Sequence, residues 1–197
     1  DAKLAGTIFA RGFESYMASD VRRKFYEENP ELVQMYVEAT IMASRFLMEH
    51  AVAGYKVWAT KMNVDLEVAV KGMSAQPPYP YVDQECFQAY LDLQQLLLKE
   101  GRLKTTLSPD VLASTIDPRP QSIAWSKGIV FPYARPPALK YGEYPPGAKV
   151  NMAEANMPLD QLLNPYIDEL KAKNWGSLKM GPALSTIPPV IAFPAQV

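Results

Sequence analysis

The spacing of apolar residues predicts an amphipathic helix that begins near Asn29. The Asn29 side chain can accept a bond from a free backbone N–H, and Pro30 suits the first helical position because it has no N–H to lose. Apolar residues then recur at intervals of three and four, which places them on one face. The predicted buried stripe is Leu32, Met35, Tyr36, Ala39, Met42, Ala43, Phe46 and Leu47. We expect Gln34, Glu38 and Arg45, which fall between these positions, to face water.

Shorter repeats of the same kind predict more helices in the first 117 residues. They cover residues 52–61, a segment after Asp65, residues 83–101 and a short turn at 111–116. Two earlier segments, 4–10 and 13–18, are partly aromatic or β-branched and are bounded by glycine, which is typical of short strands. The predicted fold class is therefore mainly α with short strands.

The distribution of proline divides the chain into two predicted regions. Of 18 prolines, 13 lie from Pro118 onward, and proline favours extended backbone over helix. Apolar positions between residues 159 and 170 still predict one short helix near 158–173, with Pro165 expected to kink it. We therefore predict a helical region at 1–117 and a proline-rich extension at 118–197.

The composition argues against several classes of site and partner. The 20 basic and 21 acidic side chains leave a net charge of −1, whereas a nucleic-acid-binding protein needs a basic surplus for phosphate contacts. With one cysteine and one histidine, the sequence offers no internal disulfide and no His/Cys zinc site. We predict no metal, no cofactor and no nucleic-acid partner.

The single histidine and the single cysteine each have a chemical and a structural interpretation. His50 could act as a general base, but its place at the end of an amphipathic helix favours an interaction with the last carbonyls and the helix dipole. Cys86 lies near a helix start, where a thiol can become reactive, yet its aromatic neighbours favour a small buried side chain. We predict no catalytic residue.

Four short motifs follow one another in an order that resembles a known family. They are residues 23–33 (RKFYEENPELV), 46–50 (FLMEH), 62–68 (MNVDLEV) and 94–103 (QQLLLKEGRL). In this order they are similar to the start and end of the long helix, the next turn and the closing helix of periplasmic solute-binding proteins. The most similar group serves importers of taurine, alkyl sulfonates and nitrate and includes the thiamine-precursor binders. The resemblance covers Gly12 to Asp117, a little over half of the chain.

The resemblance implies a fold and a location. Such proteins have two α/β lobes, and a hinge closes the cleft between them around the ligand. This chain would supply the helical C-terminal part of that fold together with an extended proline-rich arm. The missing N-terminal lobe or another chain would complete the cleft, and membrane subunits of the importer would be partners. A periplasmic or extracytoplasmic location also follows from the resemblance alone.

The same resemblance implies a ligand-binding segment. The turn before the long helix lies near the cleft in the family, and here that turn is Arg11, Gly12, Phe13, Glu14 and Ser15. The Arg11 guanidinium could pair with a sulfonate or a carboxylate through two hydrogen bonds.

The sequence therefore favours the solute-binding component of an ABC-type importer, present here as a partial chain. Its ligand would be a small anionic or zwitterionic solute, such as a sulfonate or a related organic anion. Two alternatives stay open: an enzyme or enzyme subunit built on a solute-binding-protein lobe, and an interaction module whose arm wraps a partner.

Overall fold

The fold is mainly α-helical in a computed structural model that describes residues 21–74, 78–134 and 140–178. Helices hold 63% of these residues and no strand occurs among them, which confirms the predicted helical character. The α-helices are α1 (Arg23–Glu28), α2 (Pro30–Glu49), α3 (Ala51–Met62), α4 (Leu66–Met73), α5 (Gln84–Lys99), α6 (Pro109–Ser114), α7 (Arg119–Ser126) and α8 (Leu159–Ala172). A 3-10 helix, Met152–Asn156, precedes α8.

The longest helix, α2, begins where the sequence predicts, but the Asn29 side chain does not cap it as predicted and instead donates to the Phe25 carbonyl at 3.2 Å. Pro30 occupies its first turn together with Glu31, whose charge opposes the positive end of the helix dipole. The helix ends at His50, whose backbone N–H donates to the Phe46 carbonyl at 2.7 Å. Because α3 starts at the next residue, His50 is the single link between two helices.

The first half of α2 buries a different face from the predicted one. Leu32 and Tyr36, expected in the core, are 52% and 56% exposed. Gln34 and Glu38, expected in water, are 1% and 0% exposed. The reason is that these two polar side chains face α7 and the turn after α8, where hydrogen-bond partners offset the cost of removing them from water.

The second half of α2 joins a core that includes the predicted extension. Met42 and Phe46 are buried there as predicted, and α7 and α8 both contact α2. The buried members of this core are Ile41, Met42, Phe46, Met48, Ala53, Tyr81, Ala124, Ile129, Phe131, Tyr166 and Leu170. Residues from both sides of position 117 therefore share one set of packing contacts.

The predicted short helix near 158–173 is present as α8, which continues through Pro165. It is not the one helix of the extension, since α7 and the 3-10 helix Met152–Asn156 also lie there. Cys86, predicted to be a small buried side chain, is 4% exposed. Its backbone N–H donates to the Asp83 side chain at 3.0 Å, which caps the start of α5.

Several sequence-based predictions fall outside the described residues. The two predicted strands, 4–10 and 13–18, and the end of the chain from residue 179 are among them. Among the described helices, none combines the length and the apolar character that crossing a lipid bilayer requires.

Candidate functional site

The predicted ligand-binding segment does not belong to the described part of the chain. Arg11, Gly12, Phe13, Glu14 and Ser15 all lie outside it. Within the described residues, a cavity of about 280 Å³ lies between the end of α2 and α8. The polar residues that line it are Arg45 and Glu49 on α2, His50 at the end of α2, and Gln161, Tyr166 and Glu169 on α8.

Helical spacing brings these side chains to the same place. Arg45 and Glu49 are four residues apart on α2, so they occupy neighbouring positions on one face. Tyr166 and Glu169 are three residues apart on α8, and that face meets α2 across the core. The cavity therefore follows from the packing of two amphipathic helices.

Arg45 is held between two carboxylates. Its Nε donates to Glu49 Oε1 at 3.2 Å, and its Nη1 lies 3.0 Å from Glu169 Oε2. The guanidinium also sits 5.2 Å from the centre of the Tyr166 ring. Burial alone would lower the pKa of Arg45, but Glu169 and Glu49 outweigh it and raise the pKa.

The Glu49 carboxylate accepts hydrogen bonds from three side chains. Its Oε1 accepts from Arg45 and, at 3.3 Å, from the Tyr133 hydroxyl, while its Oε2 accepts from the Tyr166 hydroxyl. Burial raises the pKa of Glu49, but the bonds from Tyr166 and Arg45 outweigh it and the pKa is lowered. Burial, and then the Glu49 carboxylate, raise the pKa of Tyr166. Glu49 is thus ionised and Tyr166 protonated at neutral pH.

Glu169 has a second cation besides Arg45. Lys173 Nζ lies 2.6 Å from Glu169 Oε1, one turn further along the chain, and also donates to the Gly128 carbonyl. Burial raises the pKa of Glu169, but the bond from Lys173 and the charge of Arg45 lower it by more. Both carboxylates in the cavity wall therefore have cationic partners.

The remaining polar contact joins His50 to Glu154. His50 Nδ1 lies 3.1 Å from Glu154 Oε1, and its ring lies 5.2 Å from that of Phe46 and 5.9 Å from that of Tyr166. Glu154 is 7% exposed, and its Oε2 has no hydrogen-bond partner among the described residues. The predicted position of His50 at a helix end is confirmed. Its ring, however, contacts the carboxylate of Glu154, which is 104 positions away in the sequence, and not the last carbonyls of the helix.

Sequence reasoning did not find Glu154. The residue lies in the 3-10 helix Met152–Asn156, 104 positions after His50. No recognisable motif surrounds it, so only the tertiary structure identifies it as the partner of the single histidine.

The arrangement is suited to binding. Its polar groups include carboxylates, a guanidinium, an imidazole and a phenol, and no serine or cysteine lines the cavity. In the part of the chain that the structure describes, no three His, Cys, Asp or Glu side chains are grouped so that they could hold a metal ion.

Comparisons with models of protein families, with curated proteins and with solved structures found no match for this chain.

Proposed function

We propose that this chain is part of the solute-binding component of an ABC-type importer and that it captures a small anionic or zwitterionic solute. The solute would be a sulfonate or a related organic anion, bound in a cleft to which Arg11 contributes. Capture requires that the closed form bind the solute more tightly than the open form does, because only differential affinity shifts that equilibrium. The proposed location, periplasmic or extracytoplasmic, follows from the same resemblance.

The observation that carries this proposal is the order of the four motifs between residues 23 and 103. Each motif by itself is a common helix signal. Their succession within one stretch is what resembles the family, because it reproduces the start and end of a long helix, a turn and a closing helix in sequence.

The described helices support the proposal at each motif. Residues 23–33 contain α1 and the start of α2, and residues 46–50 contain the end of α2. Residues 62–68 span the end of α3 and the start of α4, and residues 94–103 contain the end of α5. Every motif thus falls on the kind of boundary that the resemblance implies.

Calorimetric titration of the intact chain with ethanesulfonate and with 2-aminoethanesulfonate tests the proposal. We expect saturable binding of at least one of them, which Arg11→Ala weakens about ten-fold or more, since a hydrogen bond to a charged group contributes about 1.5–3 kcal/mol. Arg23→Ala, at an exposed position in α1, is the matched control and should leave the affinity unchanged. Absence of saturable binding, or equal loss in both variants, would contradict the proposal.

The contacts of the described residues give less support to the two alternatives, a partner-wrapping interaction module and an enzyme built on the same lobe. The described part of the proline-rich extension packs against α2 of its own chain, whereas a partner-wrapping arm would be expected to offer that surface to another polypeptide. An enzyme built on the same lobe would need a reactive group in the cavity, and the cavity wall holds salt-bridged side chains and one histidine.

A further inference from the structure

Glu154 differs from the other two carboxylates near the cavity in its hydrogen-bond partner. The carboxylates of Glu49 and Glu169 are matched by the cations of Arg45 and Lys173, which lie within 3.2 Å of them. Glu154 lies beyond this group and has His50 as its only hydrogen-bonding side chain in the described structure. Among the described residues no lysine or arginine is paired with the Glu154 carboxylate, whereas the carboxylates of Glu49 and Glu169 each have such a partner.

The contact with Glu154 fixes which nitrogen of His50 remains for a ligand. A carboxylate only accepts hydrogen bonds, so Nδ1 carries the proton and donates to Glu154 Oε1. Nε2 is then an acceptor in the neutral ring and has no hydrogen-bond partner among the described residues, while the His50 side chain lines the cavity. The same carboxylate–histidine arrangement orients the free nitrogen towards a bound cation in metal sites.

We propose that the cavity between α2 and α8 binds a small organic ammonium cation that donates an N–H to His50 Nε2. The charge of the ammonium would balance the buried carboxylate of Glu154 through the imidazole. Gln161 lies at the rim with a side-chain amide that makes no hydrogen bond to the described residues, and it offers a second polar contact.

The geometry favours this ligand over other small ions. An anion would meet Arg45 only between Glu49 and Glu169, whose charges oppose its approach. A metal ion would find no suitable site, since no three His, Cys, Asp or Glu side chains of the described residues are grouped so that they could hold one. The volume of about 280 Å³ lies just below the roughly 300–1,000 Å³ of ligand pockets, which suits a short amine.

Nuclear magnetic resonance of the intact chain can observe this site directly, because His50 is the only histidine and its imidazole signals need no further assignment. The titration uses methylammonium chloride at about pH 8, where an alkylammonium group such as that of lysine keeps its proton. We expect a saturable shift of the His50 ¹⁵N and ¹H signals. Sodium methanesulfonate and tetramethylammonium chloride, which lacks an N–H donor, should give no saturable shift.

Two variants at the site and one control variant separate recognition from folding. Glu154→Gln keeps an acceptor for Nδ1–H but removes the charge, and it should weaken methylammonium binding about ten-fold or more. Gln161→Ala, at an exposed position, should weaken it by a smaller factor, while Gln95→Ala, on an exposed position of α5, should change nothing. An unaltered backbone amide spectrum verifies that each variant is folded.

Three results would overturn the inference: no saturable shift with methylammonium, an equal shift with tetramethylammonium or methanesulfonate, or full affinity in folded Glu154→Gln. The inference does not rest on the importer assignment. Methylammonium binding at His50 would stand if the sulfonate titrations with Arg11→Ala failed, and the reverse also holds.

Discussion

Replacing Lys127 by methionine isolates the buried ion pair that joins three parts of the fold. Lys127 Nζ lies 2.6 Å from Glu38 Oε1 and donates to the Asn174 carbonyl at 3.0 Å. The side chains of Lys127 and Glu38 are 7% and 0% exposed. Methionine keeps most of the apolar stem of lysine and removes the charge, so Glu38 would stay buried without its cation.

The expected loss is large because Glu38 has few ways to compensate. Gln34 Nε2 and the Gly176 backbone N–H still donate to its two oxygens, at 2.9 and 2.8 Å, but neither carries a charge. Removing one partner of a buried pair costs about 3–5 kcal/mol. For a chain of this size that corresponds to a fall in the melting temperature of roughly 6–20 °C.

Urea unfolding followed by circular dichroism measures the loss. Lys24→Met is the control, because Lys24 and Glu28 form an exposed pair at 3.8 Å, and we expect no measurable change there. The double variant Glu38→Gln with Lys127→Met should recover part of the stability, since it buries no charge, although the single amide oxygen can accept from only one of the two sides on which Gln34 and Gly176 donate. The reasoning is refuted if Lys127→Met matches the control, or if the double variant is as unstable as Lys127→Met.

Two further predictions concern pH and backbone conformation. Burial raises the pKa of Glu49, but the bonds from Tyr166 and Arg45 outweigh it. The stability that this lowered pKa provides is therefore present above about pH 4.3 and lost as pH falls through the folded-state value, and Glu49→Gln should flatten the urea midpoint over that acidic range. A glycine comparison tests the turn after α8: Gly176 has φ 78°, and an added Cβ would lie 2.3 Å from Met35 Cγ. At Gly101, φ is 70° with no atom within 4 Å, so Gly101→Ala should lose about 1–2 kcal/mol in urea unfolding and Gly176→Ala clearly more; equal losses would contradict the packing argument.

The apolar pattern predicted the existence of the helices better than it predicted their buried faces. In α2 the pattern placed Leu32 and Tyr36 inside, whereas the structure exposes both and buries Gln34 and Glu38. Hydrophobic periodicity counts every polar residue as solvent-facing, and it has no means of recognising one whose partners come from elsewhere in the chain. In the second half of the helix the pattern was right for Met42 and Phe46, whereas Ala43 is exposed and Ile41, Ser44 and Met48, which lie outside the predicted stripe, are buried.

Little in the sequence indicated the residues of the candidate site. Its sequence-based residues, Arg11 to Ser15, came from a family resemblance and stay predictions. The described cavity depends on pairs such as Arg45 with Glu169, which are 124 positions apart, and no motif links such residues. Only the single histidine attracted attention by itself, because imidazole is the side chain whose charge changes near neutral pH.

The sequence by itself determined where α2 to α6 and α8 lie, because helix start and stop signals are local, but it did not predict α7. Pro30 occupies the first turn of α2 and Pro158 directly precedes α8, since the fixed backbone geometry of proline acts within a few residues. The tertiary structure decided which polar groups are buried and paired. Glu38 meets Lys127 across 89 positions and His50 meets Glu154 across 104, and such contacts exist only once the helices have packed.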